Sequence, residues 1–233
     1  VMGRGCVTAD GTPFEGKTST HGQPLSKSGA DYRATIANLG GNPDDPFVIF
    51  DDVKELYAER ANALRAIVRE RRAQREAWAA ANPELDRELR DMLANKLPEI
   101  DYEAIPHKDN IPTRQASSDV LAELSAKVNN MIVASADLAN SDKTDGFLRH
   151  THALAHGDFS GAFLHAGVSE LTMAAIMNGI VAHGGVIAAC GTFFVFSDYM
   201  KPAVRMAALM ELPVKYVWSH DAFRVGEDGP THE

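Results

Sequence analysis

The sequence predicts an α/β fold, a parallel sheet with helices on both faces, preceded by a helical linker and by the tail of a second α/β domain. Three observations carry this. From about Ile111 onward, segments with helical spacing of apolar residues alternate with short apolar runs, the pattern of parallel strands joined by helical crossovers. Between Asp51 and about Asn110 the composition shifts to Ala, Glu and Arg. Before that, short apolar runs are separated by Gly-rich and Thr-rich loops. At 233 residues and 45% apolar content, the chain suits one large domain or parts of two.

Each element has a local reason. In residues 1 to 50, a helix is expected from Asp31 to Leu39, with Ser28 near its start and Gly40-Gly41 as its stop. In residues 51 to 110, Val53, Leu56, Leu64, Ile67 and Val68 form a helical stripe with a charged face opposite. Asn82-Pro83-Glu84 interrupts it as a cap followed by proline at the first helical position, and a second helix runs to about Leu97 before Pro98. In residues 111 to 233, Val120, Leu121, Leu124 and Val128 share one face of a helix over Thr113 to Val128, and Met131 to Ala134 reads as a short buried strand. A helix from near Val168 to His183, a strand from Val186 to Ala189, a helix through Val204 to Leu209 and a largely buried strand from Val214 to Trp218 complete the alternation.

Composition excludes whole classes of function. A formal charge of −9 argues against a nucleic-acid binder, whose affinity comes from neutralising phosphates. Cys6 and Cys190 lie far apart without metal-ligand spacing and read as reduced thiols of a cytoplasmic protein. No apolar run reaches the ~18 to 20 residues of a membrane span, so neither membrane nor nucleic acid is an expected partner. The chain begins at Val1 and ends at Glu233 inside its richest motif, and reads as an internal piece of a longer polypeptide.

That motif, Gly226 to His232 shortly after Ser219-His220-Asp221, places two imidazoles and three carboxylates just beyond a strand. Polar groups at the carboxyl ends of strands stand where open α/β sheets bind ligands, although a solvated loop has the same composition. Other candidates also have ordinary readings. Glu170, in a first helical turn, complements the helix dipole. Phe193, Phe196 and Tyr199, spaced by three, suit a core. Arg114 opens a helix, Ser141 sits in a loop, and Asp137 is a turn former. His150, His152, His156 and His165 cluster without helical spacing or a carboxylate pattern, and are read as structural or exposed, not as a metal site.

SHDAFRVGEDGPTHE resembles the THDSxxxGEDGPTHQP signature of transketolases, and GTFFVFSDYMKPAVRMAALM resembles their GTFxxFxxYxxxAxRMAALM segment. GVSELTMAAIMNGIVAHGG, ASADLANSD, TRQAS and HGQPLS resemble four further segments of that family in the same order, from residue 21 to residue 232. The resemblance implies a thiamine diphosphate-binding fold. Residues 1–50 would be the tail of the diphosphate-binding domain, 51–110 a helical linker, and 111–233 part of the pyrimidine-binding domain.

It also implies transfer of a two-carbon ketol unit from a ketose phosphate to an aldose phosphate, through a thiamine diphosphate ylide and an enamine. Glu170 falls on the glutamate that shares a proton with N1′ of the aminopyrimidine. Phe193, Phe196 and Tyr199 fall on positions that wall that ring, and Asp137 on one that faces the cofactor. Arg114, Ser141 and His220 match the sugar-phosphate grip, for which a guanidinium fork is suited. His21, His232 and Asp228 match groups around the substrate, the two histidines also serving catalysis. Ser169 stands where many relatives have Arg.

The same resemblance implies Mg²⁺ or Ca²⁺, with its ligands in a GDG…N segment upstream of residue 1, and a homodimer with the cofactor at the subunit interface. A lone copy of this segment would then lack half its site. Two alternatives stay open. A deoxyxylulose-phosphate synthase shares a similar loop and glutamate, though His220-Asp221 and HGQPL fit transketolase better. A non-catalytic dimerisation or sugar-phosphate-binding module is the other.

Overall fold

The computed structural model describes residues 2–106, 108–221 and 227–232, and divides into two compact units, Val1–Trp78 and Ala79–Glu233. In the first unit, helix α1 (Leu25–Ser28) and helix α2 (Tyr32–Asn38) flank a small core of Cys6, Phe14 and Ala30, with Leu25 packed against it. The expected helix is present, but Ser28 closes α1. Asp31 starts α2, its side chain accepting from the Ala34 N–H at 2.7 Å, because a carboxylate satisfies an orphan first-turn donor better than a distant Ser. Leu39 and the glycines after it end the helix as expected.

Helix α3 (Asp51–Ala81) is a single long helix, and none of its residues is buried. The Leu56, Leu64, Ile67 and Val68 stripe that periodicity identifies is therefore exposed. Periodicity reports a face able to pack and is silent on whether anything covers it. Asn82 and Pro83 begin helix α4 (Pro83–Leu93), which ends four residues before the expected Leu97.

The second unit is built on four strands in the order β2-β1-β3-β4, all parallel: β1 (Met131–Ser135), β2 (Phe163–His165), β3 (Ile187–Phe193) and β4 (Lys215–Ser219). Helix α5 (Thr113–Lys127) precedes β1. The short helix α6 (Ala139–Asp142) and a 3-10 turn (Thr144–Arg149) follow it. Helices α7 (Glu170–His183) and α8 (Ser197–Leu209) form the crossovers to β3 and β4.

Alternation along β3 sorts the two faces. Ala188 and Cys190 join Met173 and Met177 of α7 and Met200 and Ala203 of α8 in one core, while Ala189 joins Leu121, Val128, Val133, Phe147 and Phe163 on the opposite face. Helices thus cover both faces. Each fully buried Met or Phe in these layers stabilises the unit by roughly 1.5 to 3 kcal/mol. Burial pushes the Cys190 thiol up to about 12, so it stays protonated and unreactive.

Two strand readings change. β2 was not expected, because three residues are too few for a period to register. The last strand, read as largely buried, is half-exposed: β4 pairs with β3 alone among the described residues and leaves Lys215 and Trp218 open. No helix among the described residues is long and apolar enough to cross a membrane.

Candidate functional site

The strand order creates the site. β1 has β2 on one side and β3 on the other, so the chain leaving β1 and the chain leaving β3 turn apart, opening a crevice at the carboxyl ends of the strands. Ser135 lies level with His165 and Gly191, and Phe193 with Ser219, so the loops that follow all begin at one edge.

One cleft of about 590 Å³ at this crevice is lined by Ala136, Asp137 and Leu138 after β1, by Phe196 and Tyr199 at the start of α8, and by Val168, Glu170 and His232. Asp137 has a φ of 66°, a left-handed conformation that Asp tolerates better than most residues, and its side chain is exposed. Glu170 is the first residue of α7 and is buried, at 7% exposure. Its carboxylate has no hydrogen-bond or ion-pair partner among the described residues. Ser169, just before it, turns its hydroxyl away to donate to the Ala166 carbonyl at 2.7 Å.

A row of rings crosses from this cleft into a second. Tyr199 stacks near Phe196 with centroids 6.2 Å apart, Phe196 near Phe193 at 5.8 Å, and Phe193 against the His220 imidazole at 3.8 Å. The His232 ring stands 5.2 Å from Phe196, edge on, and 5.9 Å from Phe193. Phe193 is buried whereas Tyr199 is exposed, so the row grades from core to surface.

The second cleft, about 760 Å³, is lined among others by Thr113, Arg114, Ser141, Asp142, Phe193, His220 and Asp228. Arg114 Nη1 donates to His220 Nε2 at 2.7 Å and to the Ser141 carbonyl at 3.1 Å. Only an unprotonated Nε2 can accept from a guanidinium, so the imidazole is neutral and its Nδ1–H donates to Ser219 Oγ at 2.8 Å. Burial, and then the adjacent Arg114 charge, hold the His220 pKa below its ordinary value.

Of the residues singled out in the sequence, Asp137, Glu170, Phe196, Tyr199 and His232 share the first cleft, and Arg114, Ser141, Phe193, His220 and Asp228 line the second. His21 belongs to the other unit, exposed at the end of a 3-10 turn, Thr18–Thr20. Gly226, which opens the terminal motif, lies outside the described residues. Sequence reasoning passed over Asp142, which lines the second cleft beside Ser141; its acidic residue within the quoted ASADLANSD segment was the available signal. His152 meets Asp158 at 3.4 Å on an exposed loop, and among the described residues no group of three or more His, Cys, Asp or Glu is arranged to hold a metal ion.

An aromatic heterocycle fits the first cleft chemically. The largely enclosed Glu170 keeps a carboxylate that opens on the cleft and accepts from no protein donor among the described residues, so it is available to a ligand donor, and Phe196 offers a flat face in the same cleft. Comparison with known proteins agrees. Residues 109–233 match the family described as transketolase, pyrimidine binding domain, and residues 3–98 match transketolase, thiamine diphosphate binding domain. Among curated proteins, a transketolase of Mycobacterium tuberculosis is 41% identical over 91% of this chain and 32% of its own length. One of Bacillus subtilis is 36% identical over 96% of this chain and 34% of its own. A solved transketolase from Leishmania mexicana superposes with a TM-score of 0.75 at 30% identity, over 90% of this chain and 31% of that one. A Pichia stipitis transketolase in complex with sedoheptulose-7-phosphate superposes with a TM-score of 0.72 at 34% identity, over 87% and 31%. The chain therefore spans about a third of the length of the relatives it matches.

Proposed function

This chain belongs to the transketolase family, and from that premise we propose that the protein containing it transfers a two-carbon ketol unit from a ketose phosphate to an aldose phosphate, with thiamine diphosphate as cofactor. The single observation that carries the reading is the Glu170 carboxylate, on a largely buried residue, opening on one cleft with Phe196 and accepting from no protein donor among the described residues. When bound, thiamine diphosphate supplies a carbon nucleophile and an electron sink for breaking the bond next to a ketone.

The chain's own groups hold, orient and move protons. Glu170 holds a proton shared with the N1′ ring nitrogen of the aminopyrimidine, a task for a carboxylate with no competing partner. Phe196 would offer its flat face to that ring, and Phe193, stacked beside Phe196, would help hold it in place. Asp137 and Tyr199 border the same cleft and bound the space left to the ring. His232, against Phe196, stands where a substrate hydroxyl can exchange a proton with it, and Asp228 accepts from another hydroxyl. His21 is assigned to the substrate from its HGQPL segment. Arg114, His220 and Ser141 receive the phosphate end: the guanidinium can turn from imidazole and carbonyl to phosphate oxygens without losing hydrogen bonds, and with Nε2 then released, Ser219 Oγ can donate to Nδ1 so that the other tautomer offers Nε2–H to the phosphate.

The sugar phosphate in the Pichia stipitis complex supports this choice of substrate class. The family matches support a diphosphate-binding part over residues 3–98 followed by part of a pyrimidine-binding domain over 109–233; within them, a diphosphate-binding tail over 1–50 and a helical linker over 51–110 are the division proposed. Family membership extends the proposal to a divalent Mg²⁺ or Ca²⁺ bound with the diphosphate, a homodimer, and a place in the cytoplasmic pentose phosphate pathway.

The test is to supply the intact enzyme with thiamine diphosphate, Mg²⁺, a ketose phosphate and an aldose phosphate, and to follow products by NMR. A ketose lengthened by two carbons is expected. Absence of any transfer, or condensation of pyruvate with the aldose phosphate instead, would overturn the reading.

A further inference from the structure

Among the described residues Asp142 is the most enclosed carboxylate of the second unit, 1% exposed, and both its oxygens are engaged. Its Oδ2 accepts from Ser135 Oγ at 2.8 Å, and its Oδ1 accepts from the Thr144 N–H at 2.8 Å and the Thr144 hydroxyl at 2.7 Å. Ser135 Oγ in turn accepts from the Leu138 N–H at 3.2 Å. One carboxylate thereby ties the last residue of β1 to both ends of the loop that carries Asp137 and Ser141.

Its seat is prepared by β3. A Cβ on Gly191 would come 2.9 Å from Asp142 Oδ2 and would overlap the Thr144 methyl, so only glycine leaves room for this knot. The groups around the carboxylate are Ser135 from β1, Thr144 and the like-charged Asp145 from the 3-10 turn, and His220 from the chain after β4, whose protonation the Asp142 charge favours. Arg114 reaches the same loop through the Ser141 carbonyl.

We propose that Asp142 is a positioning residue: by fixing the loop that presents Ser141 to Arg114, it sets how tightly the second cleft holds the phosphate end of a substrate. The phosphate role of that cleft is the one proposed above. The sign of the electrostatics separates positioning from charge. A carboxylate near an anion site repels the anion, so removing its charge alone strengthens phosphate binding, and only the loss of its hydrogen bonds can weaken it.

The experiment compares Asp142→Ala with Asp142→Asn in the intact enzyme. It reads inorganic phosphate binding by calorimetry, and KM and kcat for a ketose phosphate and a non-phosphorylated ketose. Asp142→Ala is expected to weaken inorganic phosphate binding and raise KM for the ketose phosphate by roughly tenfold, with little change for the non-phosphorylated donor. Asp142→Asn keeps both Thr144 bonds and can donate to Ser135 Oγ, so it should hold phosphate as tightly as the parent or more tightly. Equal losses on both donors, or unaltered phosphate binding in Asp142→Ala, would overturn the proposal. Should Asp142→Ala not fold, Ser135→Ala and Thr144→Val each remove one bond to the same carboxylate and must show the same selectivity for phosphate. If the parent enzyme transfers no ketol unit, calorimetry with inorganic phosphate still decides, which keeps this claim separate from the reaction assigned above.

Discussion

Arg114 and His220, 106 residues apart in sequence, share a hydrogen bond of 2.7 Å from Nη1 to Nε2 that exists only while the imidazole is neutral. Burial and then the Arg114 charge lower the His220 pKa from its ordinary 6.5. The sign follows: the folded state resists protonation more than the unfolded chain, so the stability this histidine contributes is present above about pH 6.5 and is lost as pH falls through the lower folded value. An NMR titration of the imidazole should place His220 below 6.5, and Arg114→Ala should raise it only part of the way, because burial remains the larger cause. A value at or above 6.5 in the parent would contradict the burial of His220 against the Arg114 guanidinium.

Arg114→Ala removes the guanidinium from the second cleft. A charge-assisted contact is worth about 1.5 to 3 kcal/mol, so kcat/KM for a ketose phosphate should drop roughly 10- to 150-fold. Donors without phosphate should change little. Steady-state kinetics on one phosphorylated and one non-phosphorylated ketose measure the difference, and equal losses on the two would remove Arg114 from phosphate binding.

Glu170→Gln is nearly isosteric and leaves no packed neighbour unsatisfied, since the carboxylate has no partner among the described residues. Folding should survive. The amide cannot share a ring-nitrogen proton, so exchange of the cofactor C2 proton should slow by ~100- to 10,000-fold, the usual worth of acid-base assistance. Exchange into deuterated water, read by quenched NMR, is the measurement, and an unchanged rate would exclude Glu170 from that proton transfer.

Much of this architecture is legible in local pattern, and what is missed is missed for physical reasons. Asp31, Pro83 and Glu170 mark helix starts because capping and first-turn electrostatics act within a few residues. β4 was read as buried because Val214, Tyr216, Val217 and Trp218 are apolar, yet exposure depends on which strand stands beside it, and that is a property of the sheet order. The same holds for Leu56, Leu64, Ile67 and Val68 on α3, whose spacing fixes the face and not its covering. At the site, the motif matches selected residues that the topology then gathers into two clefts. Asp142 escaped because its importance lies in bonds to Ser135 and Thr144, which only folding brings into register.

A pair of glycines distinguishes packing from propensity. Gly146, in the 3-10 turn, faces Ser118 of α5 so closely that an added Cβ would overlap the Ser118 backbone carbonyl, an atom held by its own helix. The Arg149 to Asp119 ion pair at 3.2 Å joins the same turn to α5, and Phe147 of the turn is packed in the core, so a retreat from Ser118 would disturb that packing. Gly179 lies inside α7 on an exposed face, and a Cβ there would meet nothing within 4 Å. Gly146→Ala should therefore destabilise by about 1 to 3 kcal/mol, as overpacking does. Gly179→Ala should stabilise by up to about 1 kcal/mol, the propensity difference in a helix interior. Chemical denaturation of the two variants beside the parent gives both numbers. A Gly146→Ala midpoint at or above the parent's would show that the 3-10 turn is not clamped against α5, and would weaken with it the claim that this region holds Ser141 in place.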